Sequence, residues 1–151
     1  MPVRTTQPAV AGGRRHHTEL KRLLTMLSNA LTTGDGKAAA RVWEVPAFVL
    51  GDSMSIAVAT FDQLAEFFAG ARAQYNARGI TDTRPEIISE DWISDDIVHV
   101  HVRWPYLDES KHEIGAEASD YTISRDAHGK LKIRVAVMRG VEGAKNTAGP
   151  S

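Results

Sequence analysis

The chain has 151 residues, 42% hydrophobic and 25% charged, the make-up of one globular domain large enough for a core of its own. A formal net charge of −1 supplies no field to gather nucleic acid or an anionic membrane, and the lack of cysteine excludes disulfides, thiol nucleophiles and thiolate metal sites. No apolar run approaches the roughly 20 residues that cross a bilayer, so neither nucleic acid nor membrane is expected as a partner and the expected location is cytoplasmic.

Met1 to His17 is free of acidic residues and carries Arg4, Arg14 and Arg15, with no apolar stretch after the charges. It reads as a flexible tail rather than a secretory signal. Leu20, Leu23, Leu24, Leu27 and Leu31 then recur at the spacing of a one-sided helix, which Thr33-Gly34-Asp35-Gly36 ends. The Ala-rich stretch from Lys37 to about Trp43 suits a short second helix, and Pro46 marks a switch to extended chain.

Ala47–Leu50 and Ser55–Ala59 read as two short strands around the turn Gly51-Asp52-Ser53-Met54. Thr60 and Gln63 form a capping box. The helix it opens is amphipathic through Phe61, Leu64, Ala65, Phe68, Ala71 and Tyr75, with Gly79 as its C-terminal cap. From Arg84 the apolar period becomes two, over Arg84–Ile93, Ile97–Tyr106, Glu113–Arg125 and Leu131–Arg139, with polar turns between. Residues 141–151, small and polar, read as a second flexible tail, which leaves 18–140 as the domain. Helices first and long strands last predict an α+β fold.

Three runs carry a resemblance. Leu31-Thr32-Thr33-Gly34-Asp35 with Ala38, Ala39 and Trp43, then Phe61–Phe68, then Tyr121–Ile133, resemble the nuclear transport factor 2-like superfamily and its SnoaL-like domains, over roughly Thr18 to Arg139. The resemblance implies a cone-shaped curved antiparallel sheet wrapped around three N-terminal helices, a hydrophobic pocket, and a homodimer formed through the sheet. It implies function only weakly, since isomerases, cyclases, dehydratases, hydrolases and plain binding modules share this fold. Ketosteroid isomerase chemistry needs a carboxylate base, a Tyr and a protonated Asp. Carried over, those positions hold Gly51, Leu27 and Tyr121, so the base is missing unless Asp52 replaces it.

Ile97 to Trp104 alternates, with Val98, Val100, Val102 and Trp104 on one face and His99, His101 and Arg103 on the other. Two orientations are open. Inward histidines would give an acid–base set; inward valines would put the histidines on the outer face, and a four-residue apolar stripe favours that. On the next strand Glu117, Ser119, Tyr121 and Ile123 share a face, taken as inward because the resemblance places Tyr121 at a pocket position. A four-residue loop Asp108–Lys111 would pair Leu107 with His112 and Val102 with Glu117; a buried Glu117 would have a raised pKa or pair with Arg139, the alternative being a strand-end carboxylate in water.

The best catalytic candidates are therefore Tyr121, His101 and Glu117. Trp43, Phe48, Phe68, Val100, Val102, Trp104, Ser119 and Tyr121 are the expected ligand wall, suited to a small apolar ring-containing molecule. His99-x-His101 has metal-ligand spacing without an evident third ligand, and no metal is expected. Gly51-Asp52-Ser53 with Asp96-x-x-His99 mimics a hydrolase motif, but a turn explains it better. No nucleotide-cofactor signature is present, so no cofactor is expected. The function expected is cofactor-free acid–base chemistry on such a ligand, with a non-catalytic binding or dimeric interaction module as the alternative.

Overall fold

The computed structural model describes residues 9–141, with side chains from Gly13 onward; parts of both segments read as tails lie outside the described residues. Helix α1 spans Ala9–Thr33. It starts inside the segment read as an N-terminal tail, where the His16 ring stacks on Trp92 at 4.3 Å and His17 hydrogen-bonds Glu90. Its leucine stripe does what the spacing predicts: Leu20 and Leu24 are fully buried, and Leu23 and Leu27 nearly so. At about 1.5–3 kcal/mol for each large apolar side chain buried, this stripe alone anchors the helix.

Gly34 ends α1 at φ 81°, a left-handed conformation open to glycine without a Cβ clash. Asp35 then caps α2 (Gly36–Arg41) by accepting from the Ala38 N–H at 2.9 Å. Strand β1 (Trp43–Gly51) begins earlier than the expected Ala47. Its ladder to the last strand shifts register between Trp43 and Phe48, around Pro46, which has no N–H to donate. Strand β2 (Met54–Val58) pairs antiparallel to β1.

The capping box at Thr60 and Gln63 is formed as expected and opens α3 (Phe61–Ala69). The single helix expected to run on to Gly79 breaks at Gly70 into α3 and α4 (Ala71–Ala77), and no residue of α4 is buried. The first of the four long strands is likewise divided, because Pro85 falls between β3 (Asp82–Thr83) and β4 (Glu86–Trp92). Strands β5 (Ile97–Leu107), β6 (Glu113–Arg125) and β7 (Leu131–Val141) follow.

The sheet order is β2-β1-β7-β6-β5-β3, with β4 also on β5. The β1–β7 pairing is parallel, so the sheet is mixed rather than wholly antiparallel. The α+β architecture stands, with helices packed on one face of the sheet. Over most of its length the β5–β6 register differs by two residues from the expected one, with Val102 opposite Ser119; an irregularity between Tyr106 and Leu107 reduces the difference to one at Leu107, opposite Glu113. The loop accounts for this, since Asp108 accepts from the N–H groups of Ser110 and His112, and Lys111 takes φ 68°. A shift of two leaves every side chain on its predicted face. No helix among the described residues is long and apolar enough to cross a membrane.

Candidate functional site

The inner face of the sheet carries the alternating residues of β5. Val98, Val100, Val102, Trp104 and Tyr106 are each at most 4% exposed, and the stripe packs against Tyr121, Ile123 and the buried leucines of α1. The valines face inward and the histidines outward.

Toward one end of this stripe the core turns polar. Trp104 Nε1 donates to the Tyr121 hydroxyl at 3.0 Å, and both rings are buried, meeting edge-on. Ser119 is buried on the same strand face. Two residues further along β6, Glu117 accepts from the Tyr106 hydroxyl. Above Tyr106 lie Tyr75, at 6.2 Å between ring centroids, and the Arg78 guanidinium, at 4.8 Å from the ring. Three phenols, an indole, a hydroxyl and one carboxylate thus converge where α4 covers the sheet.

The electrostatics follow from that arrangement. Burial pushes the Tyr75 phenol up to about 12, and the negative Glu117 adds to it while Arg78 opposes. Burial and the hydrogen bond to Glu117 push Tyr106 well above the ordinary phenol value. Tyr121 is raised by burial, which the neighbouring Ser119 hydroxyl and the hydrogen bond from Trp104 only partly offset. All three are therefore neutral O–H donors at physiological pH, arrayed around a carboxylate.

The outer face is organised differently. His101 Nδ1 lies 2.7 Å from Asp120, which also accepts from the Arg139 Nε and Nη2 groups. Burial pushes the Asp120 carboxyl up, but the hydrogen bonds from Arg139 and His101 outweigh it and hold the pKa below the usual range. His99 pairs with Thr122, and Arg103 bonds Glu86 and Glu113. His101 is thus removed from the interior and cannot act there with Tyr121 and Glu117. Arg139 serves Asp120, not Glu117, because β7 slips register between Met138 and Gly140 and turns Arg139 to the outer face.

Of the expected ligand wall, Trp43, Phe68, Val100, Val102, Trp104, Ser119 and Tyr121 are buried in the interior. Phe48 is not; it is 45% exposed, because Ala47 and Val49 take the inward positions of β1. These inward residues pack on one another, as in the Trp43–Phe68 ring contact at 5.7 Å. Two clefts, of about 580 and 400 Å³, lie elsewhere, one beside α4 and the loop after β5, the other along α1. Ser53 is exposed in the β1–β2 turn, as a turn residue would be, and no group of three or more metal-ligating side chains occurs among the described residues.

Sequence reasoning did not single out Tyr106 or Arg78, nor Glu90, which accepts from Trp92 Nε1 at 3.0 Å. Tyr106 carried a usable signal: it continues the even-numbered stripe past Trp104.

The fold has counterparts among solved structures. An NTF-2-like protein of unknown function from Silicibacter pomeroyi is 20% identical, covering 85% of this chain and 98% of its own, with a TM-score of 0.62. A ketosteroid isomerase-like protein from Erwinia carotovora atroseptica is 14% identical over 80% of this chain and 92% of its own, at a TM-score of 0.59. A scytalone dehydratase-like protein from Novosphingobium aromaticivorans is 14% identical over 87% of each chain, at 0.62. Such identities show the shared fold alone. None of the curated proteins matches this chain. A family model described as NTF2-like protein (DUF6841) matches residues 18–141. With that match covering nearly all of the described chain, the protein belongs to this NTF2-like family.

Proposed function

We propose that the protein binds a small ring-containing molecule on the inner face of the sheet and moves a proton on it without a cofactor, Glu117 acting as the base. The observation that carries this reading is the set of neutral phenol donors, Tyr75, Tyr106 and Tyr121, around a single carboxylate in an otherwise apolar interior. A carboxylate so placed can take a proton from a carbon beside a ring carbonyl. The electron pair then moves onto the carbonyl oxygen, where a phenol O–H stabilises it, and the proton returns from Glu117 to the same carbon, or to the γ-carbon where a double bond extends the enolate. Entry requires α4 to move, which its lack of buried residues makes inexpensive.

A thermal-shift screen against ring ketones, aromatic acids and fused-ring phenols tests binding. A ligand at about a hundred times its Kd stabilises by roughly 2.7 kcal/mol. The best binder is then held in heavy water, and exchange of the hydrogens beside its carbonyl is followed by NMR. Glu117→Gln, which keeps an oxygen for Tyr106 to donate to, should bind equally and lose the exchange. Exchange at the same rate in both proteins refutes the base; binding with no exchange in the parent supports a binding module without turnover.

A second reading rests on the outer face. Phe48, Leu50 and Val137, on adjacent strands, are 45%, 40% and 39% exposed beside the His101–Asp120–Arg139 cluster. A patch of this kind favours a homodimer through the sheet. Leu50→Asp should then convert a dimer to a monomer in sedimentation velocity; a parent already monomeric at high micromolar concentration rejects it.

A further inference from the structure

The larger of the two clefts, about 580 Å³, lies between α4 and the β5–β6 loop, and none of its lining side chains belongs to the core. Its size suits a small molecule. Apart from Gly79 every lining residue is polar, so it does not fit the apolar ring taken to bind in the interior. One wall carries a cation: α4 supplies Arg72, together with the Asn76 carboxamide. The Arg72 stem lies against the turn that ends α1, where a Cβ built on Gly34 would sit 3.3 Å from Arg72 Cβ and 3.4 Å from its Cδ. The other wall carries two anions, Asp108 and Glu109. Asp108 is held by its own loop, one carboxylate oxygen accepting from the Ser110 and His112 N–H groups at 2.9 Å each. Among the described residues neither carboxylate pairs with Arg72. Water can solvate all three charges, since Arg72 and Glu109 are exposed and Asp108 half-buried. The feature that calls for a ligand is thus the placing of opposite charges on the two walls, not an unmet bond.

We propose that this cleft binds a small zwitterion, a molecule with one carboxylate and one ammonium group, the carboxylate on Arg72 and Asn76 and the ammonium on Asp108 and Glu109. Charge decides the class. An anion alone brings its charge beside two carboxylates, and a cation alone beside a guanidinium. A neutral polyol displaces water from three charges without pairing any of them. A zwitterion answers both signs at once, and the guanidinium offers its carboxylate a two-point contact. The Arg72 stem and the Asp108 turn are already held, which lowers the cost of ordering them on binding. The cleft is separate from the interior, so the site stands whether or not Glu117 is a base. It also has a mechanical consequence. No residue of α4 is buried, so a ligand spanning the cleft fastens that helix to the β5–β6 loop.

The probes are β-alanine, 5-aminopentanoate and 7-aminoheptanoate, zwitterions of increasing charge separation, titrated into the intact nitrogen-15 labelled protein at pH 7 and low salt. At least one should move the amide signals of α4 and of Asp108–His112 saturably, and slow hydrogen exchange in α4. The fatty acid and the alkylamine of the same chain length each keep one of the two charges, and both should bind about fivefold more weakly. Arg72→Gln and Glu109→Gln change exposed side chains, so both should fold as the parent does, and each should weaken the zwitterion by about fivefold. Added salt should weaken it further. A fatty acid or alkylamine that binds as tightly as its zwitterion overturns the paired-charge site. So does an affinity that survives both variants, or saturation that leaves α4 exchange unchanged. Glu117→Gln should leave the zwitterion untouched; a loss there places the probe in the interior and overturns the cleft site. No saturable shift from any of the three overturns it as well.

Discussion

Tyr121→Phe isolates the polar end of the core. The substitution removes one oxygen and leaves the ring, so packing changes little, but it strands Trp104 Nε1, which now donates to that oxygen at 3.0 Å and is buried with a ring 4% exposed. A buried donor left without an acceptor costs about 1–3 kcal/mol. For a chain of this length, that lowers Tm by about 2–4 °C per kcal/mol. Urea denaturation followed by far-ultraviolet circular dichroism is the assay, with the slope unchanged and the midpoint shifted. The double variant Trp104→Phe/Tyr121→Phe removes donor and acceptor together. Its loss should be smaller than the sum of the two single losses by on the order of 1 kcal/mol. A Tyr121→Phe protein within 0.5 kcal/mol of the parent, or strict additivity in the cycle, would show that the indole finds water and that the interior is not sealed here.

Three other outcomes follow from the same structure. Gly36→Ala places a Cβ 2.4 Å from the Ala65 carbonyl oxygen and 3.1 Å from Ala69, so α2 and α3 must separate. Overpacking of this kind costs about 1–3 kcal/mol, read as a lower urea midpoint, and an unchanged midpoint would mean the helices part freely. Asp120 has its pKa lowered in the folded state, so its contribution is full above the ordinary carboxylate range and fades as pH falls through the lower folded value. Asp120→Asn should therefore be less stable than the parent at pH 7 and indistinguishable from it in strong acid; a gap that persists there assigns its effect to packing. The three phenols are all raised, so the folded protein should gain almost no tyrosinate absorbance at pH 10, where a free phenol is half ionised. Their raised values also mean that stability holds below pH 10 and is lost as alkali ionises them on unfolding. A normal phenol titration without unfolding would contradict their burial.

What could be read from the sequence depended on how sharply each segment alternated. The strand from Ile97 to Trp104 puts valines and polar residues strictly out of phase, so its faces were legible even with the hairpin register misjudged by two. Ala47-Phe48-Val49-Leu50 is apolar on both faces, and nothing in it said which pair faced in. The structure buries Ala47 and Val49 and leaves Phe48 and Leu50 in solvent. The break at Gly70 was hidden because α4 continues the helical period through Ala71 and Tyr75 although no residue of it is wholly buried, and the placing of Arg78, just after it, over Tyr106 left no periodic trace.

The same physics explains where the candidate site lies. In the middle of β5 and β6 the inward positions face the buried leucines of α1, and a charge there would be desolvated without a partner. Glu117 stands beyond that cover, under a helix with no buried residue, where a phenol can satisfy it and water or a ligand can still arrive. Its neighbours on the strand grade from Ile123, fully buried and apolar, through Tyr121 and Ser119 to the carboxylate itself. A helix-covered sheet can hold an ionised group on its inner face only where the cover thins. Here the inward stripe turns polar at the same point where the covering helix becomes shallow, and that coincidence, more than any motif, marks this end of the fold as the place to look for chemistry.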